Sequence, residues 1–187
     1  MNKIRKIYIT SIITYLIAVI SFALDYWSKN AIIEALPNLQ QSKIIFPWLW
    51  FTHVVNYGAA WSTFSGKTFL LSAFAGMISL GLIVYERLSF QKRTKLLSFS
   101  IGFLLGGAIG NLYDRVLYGR VTDFLDLRYN GQNIWPIFNI ADISINIGIG
   151  LLILYYIFQD NKNQTSEDDL EDEEIKPRDN DSKTNPL

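Results

Sequence analysis

Residues 138–150 read FNIADISINIGIG, an apolar helical pattern interrupted by one carboxylate, Asp142. An unpaired charge at the centre of a bilayer costs at least about 2.5–3.5 kcal/mol on insertion scales. The stretch therefore either lies outside a membrane or belongs to a bundle that gives Asp142 a polar setting. Asn139, Asp142 and Asn146 recur at helical spacing and so share one helix face. The opposite face carries Ile140, Ile147 and Leu151, which suit lipid or other helices. A polar stripe of this kind points into a protein interior or a wet cleft. Pro136 suits the first turn of the helix. Counted from there at 1.5 Å per residue, Asp142 sits about 9 Å down, a shallow depth.

Four apolar stretches, Ile7–Leu24, Thr68–Tyr85, Leu96–Leu117 and Pro136–Phe158, have the length a bilayer span needs, about 17–25 residues. Half of the 187 residues are hydrophobic, yet 18% are charged. The charges are segregated. From Asp160 onward lie ten of the 17 acidic residues and four of the 17 basic ones, so a net charge of zero hides a body near +6 and a tail near −6. The tail has no aromatic residue and too little apolar surface to fold, and is expected to be disordered. Lys3, Arg5 and Lys6 precede the first span, and Arg87, Lys92, Arg93 and Lys95 separate the second from the third. Both groups belong on the cytoplasmic side, which puts both termini there and turns residues 25–67 and 118–135 outward. The first span has a cleaved signal peptide as its alternative, with MNKIRK as the basic region and SFA at the cleavage site. Three further spans and the length of the apolar run weigh against it. Residues 44–62, IIFPWLWFTHVVNYGAAWS, are rich in β-branched and aromatic residues and carry an Asn-Tyr-Gly turn signal. The expected fold is an all-α membrane protein: four transmembrane helices in residues 1–159, a small β-rich segment on the outer membrane surface, and a cytoplasmic tail over 160–187. An interfacial aromatic belt is the simplest role for each of Trp48, Trp50 and Trp61.

Cysteine is absent and His53 is the single histidine, which excludes thiol chemistry, disulfides and the usual zinc motifs. The polar residues that remain are carboxylates and amides. The outer end of the third span reads GGAIGNLYDRVL, residues 106–117. Its small residues Gly106, Gly107, Ala108 and Gly110 permit close helix approach, and Asn111, Asp114 and Arg115 extend the stripe begun at Gly107. The plain reading makes Asn111 packing glue and Asp114–Arg115 an interfacial charge pair. GRVTDFLDL follows at 119–127: Gly119 ends the helix and an extended segment brings Asp123 back along the outer face. A short outer loop separates Asp123 from Asp142, so both reach one pocket. Two carboxylates at close range hold one shared proton near neutrality. One then acts as base on a water while the other donates to the carbonyl or the leaving amine, the chemistry of aspartic proteases. Asp126 is expected to be solvated. On spacing alone, proton translocation and a purely structural role in helix packing remain alternatives.

Five blocks decide between them: LDYWSK around Asp25 and Lys29, NYGAAWS at 56–62, GGAIGNLYDR at 106–115, GRVTDF at 119–124 and FNIAD at 138–142. In these, and in their order, the chain resembles the lipoprotein signal peptidases, the type II signal peptidase family, from Ile7 to about Phe158. The resemblance implies that Asp123 and Asp142 are the catalytic dyad. It surrounds them with Asn56, Gly58, Asn111, Asp114, Arg115 and Asn139, and makes Asp25 and Lys29 a structural motif. It implies hydrolysis of the bond before a diacylglyceryl-modified cysteine in prolipoproteins, in the bacterial inner membrane, at a site near the outer leaflet. Membrane lipids are the other partners; no cofactor, metal or nucleic acid is expected, and the chain is expected to be a monomer. The family is the target of the cyclic peptide globomycin. Thr122, where the family commonly has valine, is a departure beside the first aspartate, and the tail lies outside the pattern. Tyr113-Asp114 also resembles presenilin-like proteases, whose G-x-G-D partner is missing here. Rhomboid-like chemistry would need His53 with Ser62 or Ser65, for which no pattern speaks.

Overall fold

A computed structural model describes residues 3–58, 68–89 and 94–175 of the chain. Its elements are helix α1 (Lys3–Ala35), strands β1 (Ser42–Phe46) and β2 (Leu49–Asn56), helices α2 (Thr68–Leu88) and α3 (Lys95–Tyr118), strands β3 (Val121–Tyr129) and β4 (Gln132–Asn133), and helix α4 (Ile140–Ile175). Four segments are long and apolar enough to cross a membrane: Tyr8–Ala35, Thr68–Leu88, Lys95–Tyr118 and Ile140–Asp160. Met1–Leu152 forms one compact unit, and Ile153–Leu187 is separated from it as a second.

Helix α3 is the centre of the first unit. Leu97, Ile101 and Leu105 are buried along it, and its glycines bring neighbouring backbones close. A Cβ on Gly107 would collide with the Ala141 carbonyl of α4, and one on Gly106 would lie 2.6 Å from the Ala18 carbonyl of α1. Thr94 caps α3 by accepting from the Leu97 N–H at 3.2 Å. At the other end Gly119 takes the left-handed conformation, φ 67°, and its N–H donates to the Arg115 carbonyl. By contrast, α1, α2 and α4 present large apolar side chains outward, among them Leu16, Val19, Phe69, Phe74, Met77 and Ile149, as lipid-facing helices do.

The strands form one antiparallel series, β1-β2-β3-β4. Asn130 and Gly131, both at positive φ, make the tight turn from β3 to β4. Beneath the sheet, Ile32 of α1 packs with Phe124 and Leu125 of β3, and Phe51 meets Phe124 edge to face at 5.9 Å.

Several boundaries differ from the sequence reading. Helix α1 continues to Ala35 instead of ending at Leu24, so Asp25 and Lys29 stand inside a helix. Their charges stop a hydropathy window but not the helix, because Lys29 pairs internally with both Asp25 and Asp114. Helix α4 starts at Ile140, not Pro136, because Phe138 pairs with Leu125 of β3 in an isolated bridge. The depth of about 9 Å reckoned from Pro136 is therefore replaced by a position in the first turn of α4. The sheet draws on both outer segments, since β3 pairs with β2 from residues 42–56 and β4 pairs with β3. The backbone of α4 stays helical past Asp160 to Ile175, over a run rich in Glu, Asp, Asn and Gln. The remainder of the tail, Ala59–Ser62 of the NYGAAWS block, Trp61, Ser65, Lys92 and Arg93 lie outside the described residues.

Candidate active site

The two aspartates arrive from different elements. Asp123 sits on β3, where its Cα pairs with Val54 of β2. The chain after the β3–β4 turn comes back along β3: the Phe124 and Leu125 N–H groups both donate to the Phe138 carbonyl, and the Phe138 N–H donates to Leu125. That pairing delivers Asn139 beside Asp123 and starts α4 one residue later. Asn139 is the N-cap of α4 and Asp142 its third residue, and they bond reciprocally. The Asp142 N–H donates to Asn139 Oδ1 at 3.0 Å, and the Asn139 N–H donates to Asp142 Oδ2 at 3.1 Å. This is the capping-box arrangement, built here from Asn and Asp. It places a carboxylate where the exposed N–H groups of the helix favour negative charge, which answers how Asp142 is tolerated in an apolar helix.

Asn139 is fully buried and also donates through Nδ2 to Asp123 Oδ1 at 2.7 Å and to Asn111 Oδ1 at 3.0 Å. One amide thus holds one aspartate through its nitrogen and the other through its oxygen. Asn111 of α3 donates to Asp142 Oδ1 at 2.8 Å. Asn56, at the end of β2, donates to Asp123 Oδ2 at 2.9 Å, and its own Oδ1 accepts the Gly58 N–H in an Asx turn. Asp123 is 3% exposed, and its pKa is pushed up to about 7, first by burial and then by the charge of Asp142. The bonds from Asn56 and Asn139 and the charge of Lys29 pull it the other way.

A second layer supports these groups. Lys29 bonds Asp25 Oδ2 at 2.6 Å, Asp114 Oδ2 at 2.9 Å and Asn111 Oδ1 at 3.3 Å, all buried. Asp25 uses its other oxygen to accept the Ala141 N–H in the first turn of α4 at 2.8 Å. Gly110 makes room: a Cβ there would lie 2.6 Å from Asp25 Oδ2. Asp114 also accepts the Thr122 N–H at 3.3 Å, locking β3 one residue before Asp123. Arg115 donates to the Gly58 carbonyl at 3.2 Å and the Asn111 carbonyl at 3.3 Å.

The aspartates open onto a cleft of about 1170 Å³, whose walls include Val54, Tyr57, Arg115, Trp135, Ile143 and Asn146. The cleft is mainly apolar, with its polar groups gathered around Asp123 and Asp142. Such a site has room for an extended peptide beside two carboxyl groups. No group of three or more acidic or His residues fit to hold a metal occurs among the described residues.

The family model described as Signal peptidase (SPase) II matches residues 17–158. The chain is a member of the signal peptidase II family. Proteins named lipoprotein signal peptidase resemble it closely. That of Clostridium acetobutylicum is 35% identical over 79% of this chain and 95% of its own length; that of Alteromonas mediterranea is 40% identical over 74% and 76%. A solved bacterial membrane enzyme superposes with a TM-score of 0.68 at 35% identity, covering 80% of this chain and 90% of that one. A second, at the same identity, gives 0.64 over 76% and 91%.

Within this signal peptidase II fold, the two aspartates and the eight residues expected to surround or support them fall in one connected network: Asp25, Lys29, Asn56, Gly58, Asn111, Asp114, Arg115, Asp123, Asn139 and Asp142. Asp114 pairs with Lys29, not with its neighbour Arg115. Asp126 is not solvated: it is fully buried, accepting from Thr52 at 2.7 Å, Asn133 at 2.7 Å and Arg128 at 2.8 Å. It ties β2, β3 and β4 together. The sequence reading missed that role, although the Asn130-Gly131 turn signal, which returns Asn133 towards β3, was available. Arg128 lies over Trp50 with 4.0 Å to the ring centroid, which gives that tryptophan a partner within the sheet. His53 is buried, its Nδ1 donating to the Leu36 carbonyl at 2.7 Å, and it takes no part in the cleft.

Proposed function

We propose that Asp123 and Asp142 are the catalytic dyad of an intramembrane aspartic endopeptidase, which cuts diacylglyceryl-modified prolipoproteins before the lipidated cysteine. The observation that carries this reading is Asn139, whose single amide bonds Asp123 and caps Asp142 at the wall of the cleft. Near neutrality the pair holds one proton. The ionised carboxylate takes a proton from a water, whose oxygen attacks the scissile carbonyl while the protonated partner donates to the carbonyl oxygen. Collapse of the tetrahedral intermediate breaks the C–N bond, and a carboxyl proton passes to the departing amine of the cysteine. Asn111 and Asn56 hold the carboxylates in register, and Arg115 fixes the turn at Gly58 that borders the site. The basic residues at the start of α1 and around the α2–α3 junction favour a cytoplasmic position for both termini, with the dyad towards the outer leaflet of the bacterial inner membrane. Both carboxylates come from one chain, so a monomer among membrane lipids suffices for the reaction.

The test is incubation of the purified protein with a diacylglyceryl-modified prolipoprotein and with its unlipidated precursor, followed by mass spectrometry. The expected product is a signal peptide ending at the residue before cysteine, from the lipidated form only. Absence of cleavage, or cutting at another bond, contradicts the reading.

A further inference from the structure

Asn146 is the third member of the polar stripe on α4 and has no part in the network around the dyad. It lies one turn below Asp142, about 6 Å deeper along the helix, within the span Ile140–Asp160. Its side chain is exposed on the cleft wall next to Ile143 and Ile147. Its Nδ2 donates to the Asp142 carbonyl of its own helix at 2.9 Å, with no other partner among the described residues. That bond uses one of two N–H groups and leaves the amide oxygen available. An amide that faced hydrocarbon from this position would be costly, and polar side chains in spans face protein, water or a ligand.

The cleft geometry points to the ligand. A signal peptide cut at the dyad runs inward from the scissile bond, and near the cut its main chain is extended, so its N–H and C=O groups lack helical partners. In a water-poor cleft these groups need partners from the wall. An extended chain advances about 3.3 Å per residue, so one passing along α4 reaches Asn146 about two residues before the cut. We propose that Asn146 is a substrate-holding residue. It bonds the main chain of the signal peptide at the second residue before the scissile bond, its amide oxygen accepting that residue's N–H. This rests on the dyad reading above and adds a contact that sets substrate affinity, not the chemistry.

The experiment compares wild type, Asn146→Leu and Asn146→Gln on three lipidated substrates. These are the ordinary peptide, one N-methylated at the second residue before the cut, and one with ether-linked instead of ester-linked chains. On the ordinary substrate Asn146→Leu should raise KM about tenfold with kcat nearly unchanged, the size of one hydrogen bond. Asn146→Gln should recover part of the loss. On the N-methylated substrate wild type and Asn146→Leu should have the same KM, while the ether-linked substrate should behave as the ordinary one. An Asn146→Leu enzyme that matches wild type on the ordinary substrate overturns the proposal. So does a defect that persists on the N-methylated substrate, or one that disappears only with ether chains, which would assign the amide to the lipid ester. If the Leu variant does not fold, Asn146→Gln on the ordinary and methylated pair decides by the same coupling. Cleavage of none of the substrates by wild type would instead remove the dyad reading itself.

Discussion

At Asn139 the fold and the chemistry coincide, because its side-chain amide caps α4 and holds the Asp123 carboxyl group, while its main-chain N–H bonds the carboxylate of Asp142. Replacing it with leucine removes the cap and the bond to Asp123 and keeps the main-chain bond to Asp142. A lost N-cap costs about 0.5–2 kcal/mol, whereas misplacing a reacting group by about an ångström costs on the order of a hundredfold in rate. Asn139→Leu should therefore fold and lose about a hundredfold in kcat, measured by single-turnover cleavage in detergent. The Asp123 pKa of about 7 sets the pH dependence. The singly protonated dyad is lost as pH rises through that value, so kcat/KM should fall on the alkaline side of neutrality. Asn56 donates to the ionised form and lowers that pKa. Asn56→Ala should move the alkaline limb to higher pH, and a limb that stays in place or moves down would remove Asp123 from the rate-determining protonation. At this scale the sequence was legible where a residue type carries chemistry: two aspartates and their amides stand out in apolar surroundings. Asp126 was misjudged because its odd spacing from Asp123 puts it on the other face of β3, and a single sequence does not show that Thr52 and Asn133 cover that face.

The elements are held by charges that a hydropathy profile reads as boundaries. Lys29 on α1 joins Asp25 to Asp114 of α3, and Asp25 reaches the first turn of α4, so three helices meet in one buried ion cluster. Lys29→Met would leave two carboxylates facing each other out of water. Breaking a buried pair in this way costs about 3–5 kcal/mol, and thermal unfolding in detergent should show a large drop in Tm. If Lys29→Met unfolds like wild type, the cluster does not hold the bundle together. The same cluster explains why α1 was expected to stop at Leu24 and instead runs to Ala35: a single sequence cannot show that charges pair across helices. The start of α4 was placed at Pro136 for a related reason. Proline suits a first helical turn, but the β-bridge between Leu125 and Phe138 is non-local and holds Phe138 against β3. Gly119 and the four apolar stretches were legible because their signals are local.

The molecule as a whole combines four helices long and apolar enough to cross a membrane with one small antiparallel sheet. Neither part makes the site alone: β3 brings Asp123, α4 brings Asp142, and α3 supplies Asn111 between them. The family resemblance carried by the five sequence blocks implied this assembly, whereas the pairing of β3 with residues 49–56 depended on contacts that no spacing reveals. The measurement that bears most directly on the shared-proton dyad is cleavage of a lipidated prolipoprotein by wild type, Asp123→Asn and Asp142→Asn, each checked for wild-type-like unfolding. The account predicts that either substitution lowers kcat by at least about a thousandfold, within the range for removal of an acid or base. Cleavage at the wild-type rate by either folded variant would contradict it.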